Sequence, residues 1–175
     1  MSVDRKKLKN WWWYHRVHVL IAVLVLAVVA YTTLPGLQAP KPDCTLAVAS
    51  RVPLRDEALA EIRARLERAV GDRNGDGRVV VELSPYTLDL SGETEGYYNY
   101  QGAAAFDADL VGQKSALFLF DDPAGFRANV VVPVEEIIPC AELPLFADLT
   151  PEGYGFSARS DGDQAVALYR LITQQ

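Results

Sequence analysis

The chain reads as an α/β protein: a single N-terminal transmembrane helix, then one small extracytoplasmic three-layer domain with a mainly parallel sheet of three or four strands. Three observations predict this. An uncharged apolar run occupies the first fifth of the chain. After it, short apolar segments alternate with helix-spaced ones in the order strand, helix, strand, helix, strand, helix, which is the pattern of βαβ crossovers. About 130 residues remain beyond the run and its linker, enough for one domain with its own core.

The apolar run is Val17 to Leu34, 18 residues with no Asp, Glu, Lys or Arg. At ~1.5 Å per residue it covers roughly 27 Å, close to the about 30 Å of a bilayer's hydrocarbon core. Trp11, Trp12, Trp13 and Tyr14 precede it, and their amphipathic rings suit the headgroup level. Pro35 and Gly36 are expected to end the helix. A buried core helix would carry less uncharged length. A cleaved signal peptide, with Val28-Val29-Ala30 as its site, is the closer rival, but three tryptophans ahead of the apolar core fit a retained anchor better. Residues 1–16 hold five basic side chains and one acidic one, and basic flanks stay on the cytoplasmic side. The expected layout is a cytoplasmic basic and aromatic tail over 1–16, the transmembrane helix over 17–34, a Pro-rich linker over 35–44 and an extracytoplasmic domain over 45–175. The expected location is the cell membrane, in a single pass with the N-terminus inside.

Beyond residue 16 the chain has 12 basic and 22 acidic side chains. So acidic a domain is a poor partner for nucleic acid and a better one for cations or basic surfaces. The two cysteines, Cys44 and Cys140, both fall on the outer side, where an oxidising compartment would let them pair. Two separate thiols are the alternative.

Within the domain, Thr45–Ser50 (TLAVAS) is a short buried strand. Pro53 and Asp56 introduce a helix to about Val70, with Leu59, Ile62, Leu66, Ala69 and Val70 on one face and Gly71 to end it. The loop Asp72–Gly77 leads to Val79–Leu83 (VVVEL), which continues past Pro85 as Tyr86–Leu90. After the acidic break 91–96, Tyr97–Val111 reads as a helix. Ser115–Phe120 (SALFLF) is the clearest strand. Asp122 caps and Pro123 opens a short helix to about Val130. The proline-rich 131–152 reads as irregular structure or edge strand, Tyr154–Ser160 as a last strand, and Ser160 or Asp161 to Thr173 as a closing helix. Three core parallel strands are expected, with Thr45–Ser50 central.

The order TLAVAS, helix, VVVEL with a following Tyr86, then a helix leading through Gly112 into SALFLFDD resembles the first lobe of bacterial extracellular solute-binding proteins over roughly Thr45 to Phe126. The resemblance implies a fold more than a ligand, because those receptors bind solute between two lobes and the second lobe is absent here. In its tryptophan-rich anchor and DRNGDG the chain is also similar to small single-pass membrane proteins of Gram-positive bacteria.

Asp72-Arg73-Asn74-Gly75-Asp76-Gly77 matches the first half of a calcium loop: oxygens at Asp72, Asn74 and Asp76, a Gly at the sharp turn and the carbonyl of Arg78. The second half fails, since Leu83 stands where a bidentate Glu is required. Asn-Gly and Asp-Gly also form turns without metal, so calcium and a plain turn both remain open. Asp121 and Asp122 fall at the carboxyl end of the best strand, the edge where open parallel sheets bind ligands. They read either as a cation or acid-base pair or as a helix cap beside a solvated carboxylate. Tyr97, Tyr98 and Tyr100 read either as a stacking surface or as partly buried helix residues.

Absences narrow the chemistry. The only histidines, His15 and His18, lie at the anchor, so the domain has none for a Ser-His-Asp triad, a Cys-His pair or a zinc site. Its only lysines, Lys41 and Lys114, complete neither a Ser-x-x-Lys arrangement nor a phosphate loop. No catalytic residue is assigned and no cofactor is required, calcium apart. The expectation is a non-catalytic interaction domain displayed outside the cell membrane, whose partners are the bilayer and an envelope or membrane protein. The alternatives are a solute- or cation-binding receptor subunit and, more remotely, a two-carboxylate hydrolase.

Overall fold

The computed structural model describes residues 5–38, 41–91 and 97–174, and their side chains except those of 5–10, 33–38 and 97–99. The chain divides into two compact units, 1–40 and 41–175.

The first unit is one helix, α1 (Arg5–Gln38). Its segment Trp11–Thr32 is long and apolar enough to cross a membrane. The helix does not stop at Pro35 and Gly36 as expected but runs on to Gln38. Pro35 lies in the last turn, and the one bond it cannot make is that to the Tyr31 carbonyl.

The second unit is built on a five-stranded sheet, not three or four, in the order β2 (Val81–Thr87), β1 (Cys44–Ser50), β3 (Leu117–Phe120), β5 (Gly155–Ala158) and β4 (Ile138–Pro139). The first three are parallel, with β1 in their middle as expected. β5 runs antiparallel to β3, and β4 antiparallel to β5. The stretch between β3 and β5 holds short elements only and no long crossover helix. Pro85 lies inside β2, which is an edge strand and tolerates the missing N–H.

Alternation along the strands feeds two apolar clusters. Leu46, Val48, Leu117, Leu119, Phe156 and Ala158 pack with α2 (Asp56–Val70) and α5 (Asp163–Thr173). Ala47, Ala49, Phe118 and Phe120 pack with α3 (Tyr97–Gly112) and α4 (Pro123–Asn129). The alanines of β1 are small where the phenylalanines of β3 are large, and Phe120 stacks on Phe126 of α4 at 3.9 Å between centroids. The α2 boundaries match the apolar spacing of the sequence, and Gly71 ends the helix with φ 69°.

Cys44 and Cys140 are free, buried thiols. Cys44 begins β1, whereas Cys140 follows Pro139, which the register through Gly155 and Phe120 sets level with Ala49 near the other end of β1. About five residues of strand rise and three strand spacings separate them by roughly 20 Å, far beyond the reach of a disulfide. The pairing allowed by compartment is therefore excluded by register.

Candidate functional site

In a sheet of this order the chain leaves β1 toward β2 on one side and β3 toward β5 on the other. The crevice above the carboxyl ends of β1 and β3 is then the natural place for a ligand. A cleft of about 1070 Å³ opens there, against the start of α2. Its walls include Leu54 and Ala58 from the α2 entry, Asp121 from the end of β3, and Leu149, Pro151 and Tyr154 from the segment before β5.

Asp121 is the polar centre of this edge. Its backbone N–H donates to Ala49 O, and its Oδ2 accepts the Arg51 N–H at 2.7 Å, so the carboxylate ties the ends of two strands together. Its Oδ1 is buried and has no hydrogen-bond donor among the described residues. Burial lifts the carboxyl above the usual carboxylate range, against the pull of Arg51. The Arg51 side chain is half exposed and lies between two acids, its Nε 3.8 Å from Asp89 Oδ1 and 3.9 Å from Asp121 Oδ2. Asp89 is buried and also accepts from the Ser91 N–H and hydroxyl. The Tyr154 phenol has a raised pKa, chiefly from burial, with the Asp121 charge adding to it.

Asp122 does not share this site. Its Oδ1 accepts the Gly125 N–H at 2.9 Å as the cap of α4, and it does not line the cleft. The adjacent carboxylates that the sequence offered as a pair thus do different work: chain direction turns one into the crevice and the other onto a helix. Tyr100 is 76 % exposed on α3 and lies outside the cleft. The side chains of Tyr97 and Tyr98 lie outside the described residues.

In the Asp72–Arg78 loop the side-chain oxygens face the loop's own backbone. Asp72 accepts from the Gly75 and Gly77 N–H groups, Asn74 from Asp76, and Asp76 from Arg78. Positive φ at Gly75 and Gly77 makes the turns. Asp43 holds the loop from below. It is buried and accepts the N–H groups of Arg73, Asn74 and Val80, which lowers its pKa, Val80 contributing most. Among the described residues no cluster of three His, Cys, Asp or Glu side chains is placed to hold a metal.

Arg51, Asp89 and Tyr154 carry the site without having stood out in the sequence. The signal for Arg51 was its position directly after β1, the counterpart of Asp121 directly after β3. Asp89 and Tyr154 reach the edge only through the tertiary fold.

No protein-family model, curated protein or solved structure matches this chain.

Proposed function

We propose that the chain is a non-catalytic, membrane-anchored binding domain that displays a three-layer α/β fold outside the cell membrane and takes its partner in the cleft at the carboxyl edge. The observation that carries this reading is the coincidence of the cleft with the switch point of the sheet, with the Asp121 carboxylate in its wall. The basic residues before α1 support an inside N-terminus. Binding is favoured over chemistry because Asp121 has no histidine to work with and Asp122 is committed to its cap. The latter also counts against a two-carboxylate hydrolase. A second reading, one lobe of a solute receptor completed by another chain, shares this cleft, whose volume falls near the range of small-molecule sites.

Cross-linked purification of the full-length protein from its native membrane tests the proposal, run beside Ala58→Trp, which fills the cleft. A partner recovered with the parent and lost with the variant is expected. Recovery of the same proteins with both would remove the cleft from the function.

A further inference from the structure

We infer that α1 carries a site for an anionic phospholipid of the leaflet at its N-terminal end, with the lipid phosphate on the Arg16 guanidinium beside the Trp13 indole. This rests on the reading of α1 as a membrane span.

The posture of Arg16 is the first argument. Arg16 stands directly before the uncharged run Val17–Leu34. Its guanidinium lies over the Trp13 ring, with Cζ 4.3 Å from the centroid. Trp13 is nearly one helical turn closer to the N-terminus. The side chain therefore reaches back out of the apolar run, toward the level at which indole rings and lipid phosphates meet. Stacking uses the flat face of the guanidinium and leaves its N–H edge for a pair of acceptor oxygens, which a phosphate supplies. No acidic residue lies on α1 to take that edge, and the acids nearest in the chain are Asp4 and Asp43. An arginine at the margin of hydrocarbon is stabilised by an anion, and the lipid phosphate is the anion at that depth.

The second argument is the face on which the cations fall. α1 is already helical at Arg5, so at 3.6 residues per turn Arg5, Lys9 and Arg16 fall within a stripe about 40° wide. Lys9 stands one turn beyond Trp13, roughly 6 Å along the axis. Lys7 falls on the face opposite Arg16. Residues 1–16 hold five basic side chains against one acidic one. A zwitterionic headgroup brings its own ammonium to its phosphate, whereas an anionic headgroup leaves its charge for the protein. The stripe therefore favours the anionic lipid.

The three tryptophans of the chain are Trp11, Trp12 and Trp13, so tryptophan fluorescence reports on this end of α1 alone. The test uses the full-length protein in phosphatidylcholine vesicles. Rising fractions of the lipid are replaced by phosphatidylcholine or phosphatidylglycerol brominated near the headgroup end of the acyl chains. Quenching is expected to give phosphatidylglycerol about a fivefold advantage over phosphatidylcholine. Arg16→Gln is expected to remove most of that advantage. Lys7→Gln, the same loss of charge on the opposite face, is expected to leave most of it. Inorganic phosphate at matched ionic strength is expected to leave it unchanged. Equal quenching by the two lipids overturns the inference on the unaltered protein, with the anchor intact. A loss with Lys7→Gln as large as with Arg16→Gln overturns it in favour of diffuse charge, and a loss with inorganic phosphate overturns it in favour of a free anion. Quenching by neither lipid overturns it and also removes the membrane span beneath it.

Discussion

Arg65 and Asp148 meet fork to fork, Nη1 to Oδ1 at 2.6 Å and Nη2 to Oδ2 at 2.8 Å. The pair clamps the segment before β5 onto α2, and Arg65 Nη1 also donates to the Pro144 carbonyl at 3.2 Å. Since α2 forms one wall of the cleft and Leu149 to Tyr154 another, this clamp fixes the width of the site. Arg65→Ala is expected to speed proteolysis between residues 144 and 151 and to weaken any ligand held in the cleft, with a modest loss of global stability, since the Asp148 side of the pair is exposed. Arg65 holds the Asp148 carboxyl below its usual range. A lowered acid stabilises the fold above the unfolded carboxylate value, about 3.9, and that contribution is lost as pH falls through the lowered value. Limited proteolysis against pH should therefore show wild type approaching the variant only in strong acid.

The Asp43 carboxylate should behave similarly for the loop above it. Asp43→Ala is expected to accelerate hydrogen exchange at the Arg73, Asn74 and Val80 amides and to leave exchange in β3 unchanged. The melting temperature of the full chain should be the same in millimolar calcium and in chelator, because Leu83, in β2, supplies no twelfth-position carboxylate. A rise with calcium would assign the loop a metal.

Gly102 and Gly112 form an internal control. A Cβ at Gly102 would run into the Thr87 carbonyl oxygen, whereas at Gly112 it would meet nothing within 4 Å. Gly102→Ala should destabilise by about 1–3 kcal/mol. Gly112→Ala, at the end of α3, should be neutral or slightly stabilising. Urea midpoints of the two variants check the contrast.

Burial pushes both cysteine thiols up to about 12. The expected result is slow alkylation of Cys44 and Cys140 at pH 8 in the native protein and full alkylation in denaturant, read by mass spectrometry. A reduction-sensitive intramolecular cross-link would contradict the register of the sheet.

Asp121→Asn should be no less stable than the parent at neutral pH. Burial raises this carboxyl in the folded state, so the native charge opposes folding at neutral pH, and stability rises as pH falls toward the unfolded carboxylate value. Any gain from the amide should shrink with acidification. Denaturant titrations at neutral and acid pH measure it, and a large loss at pH 7 would mark Asp121 as a structural strut.

The parts of this fold that were legible in the sequence are those whose signal is local. The face Leu59, Ile62, Leu66 and Val70 repeats at helical spacing and locates α2, and Leu117 to Phe120 is apolar on both faces because both are covered. The two-residue β4 exists only through its pairing with β5, and the direction of β5 depends on the route of the irregular stretch before it. At the site, Asp121 was readable from its place after a strand. Its separation from Asp122 was not, since both are carboxylates until a helix axis claims one of them.

Both margins of the sheet carry a proline. Pro85 lies in β2 at one edge and Pro139 in the two-residue β4 at the other. Neither residue has an N–H to offer a new strand, and β4 is too short to template one. At high local concentration the exposed strand edges of neighbouring copies would zip together. Here the margins themselves discourage that aggregation, so neighbouring copies can crowd without fusing their sheets.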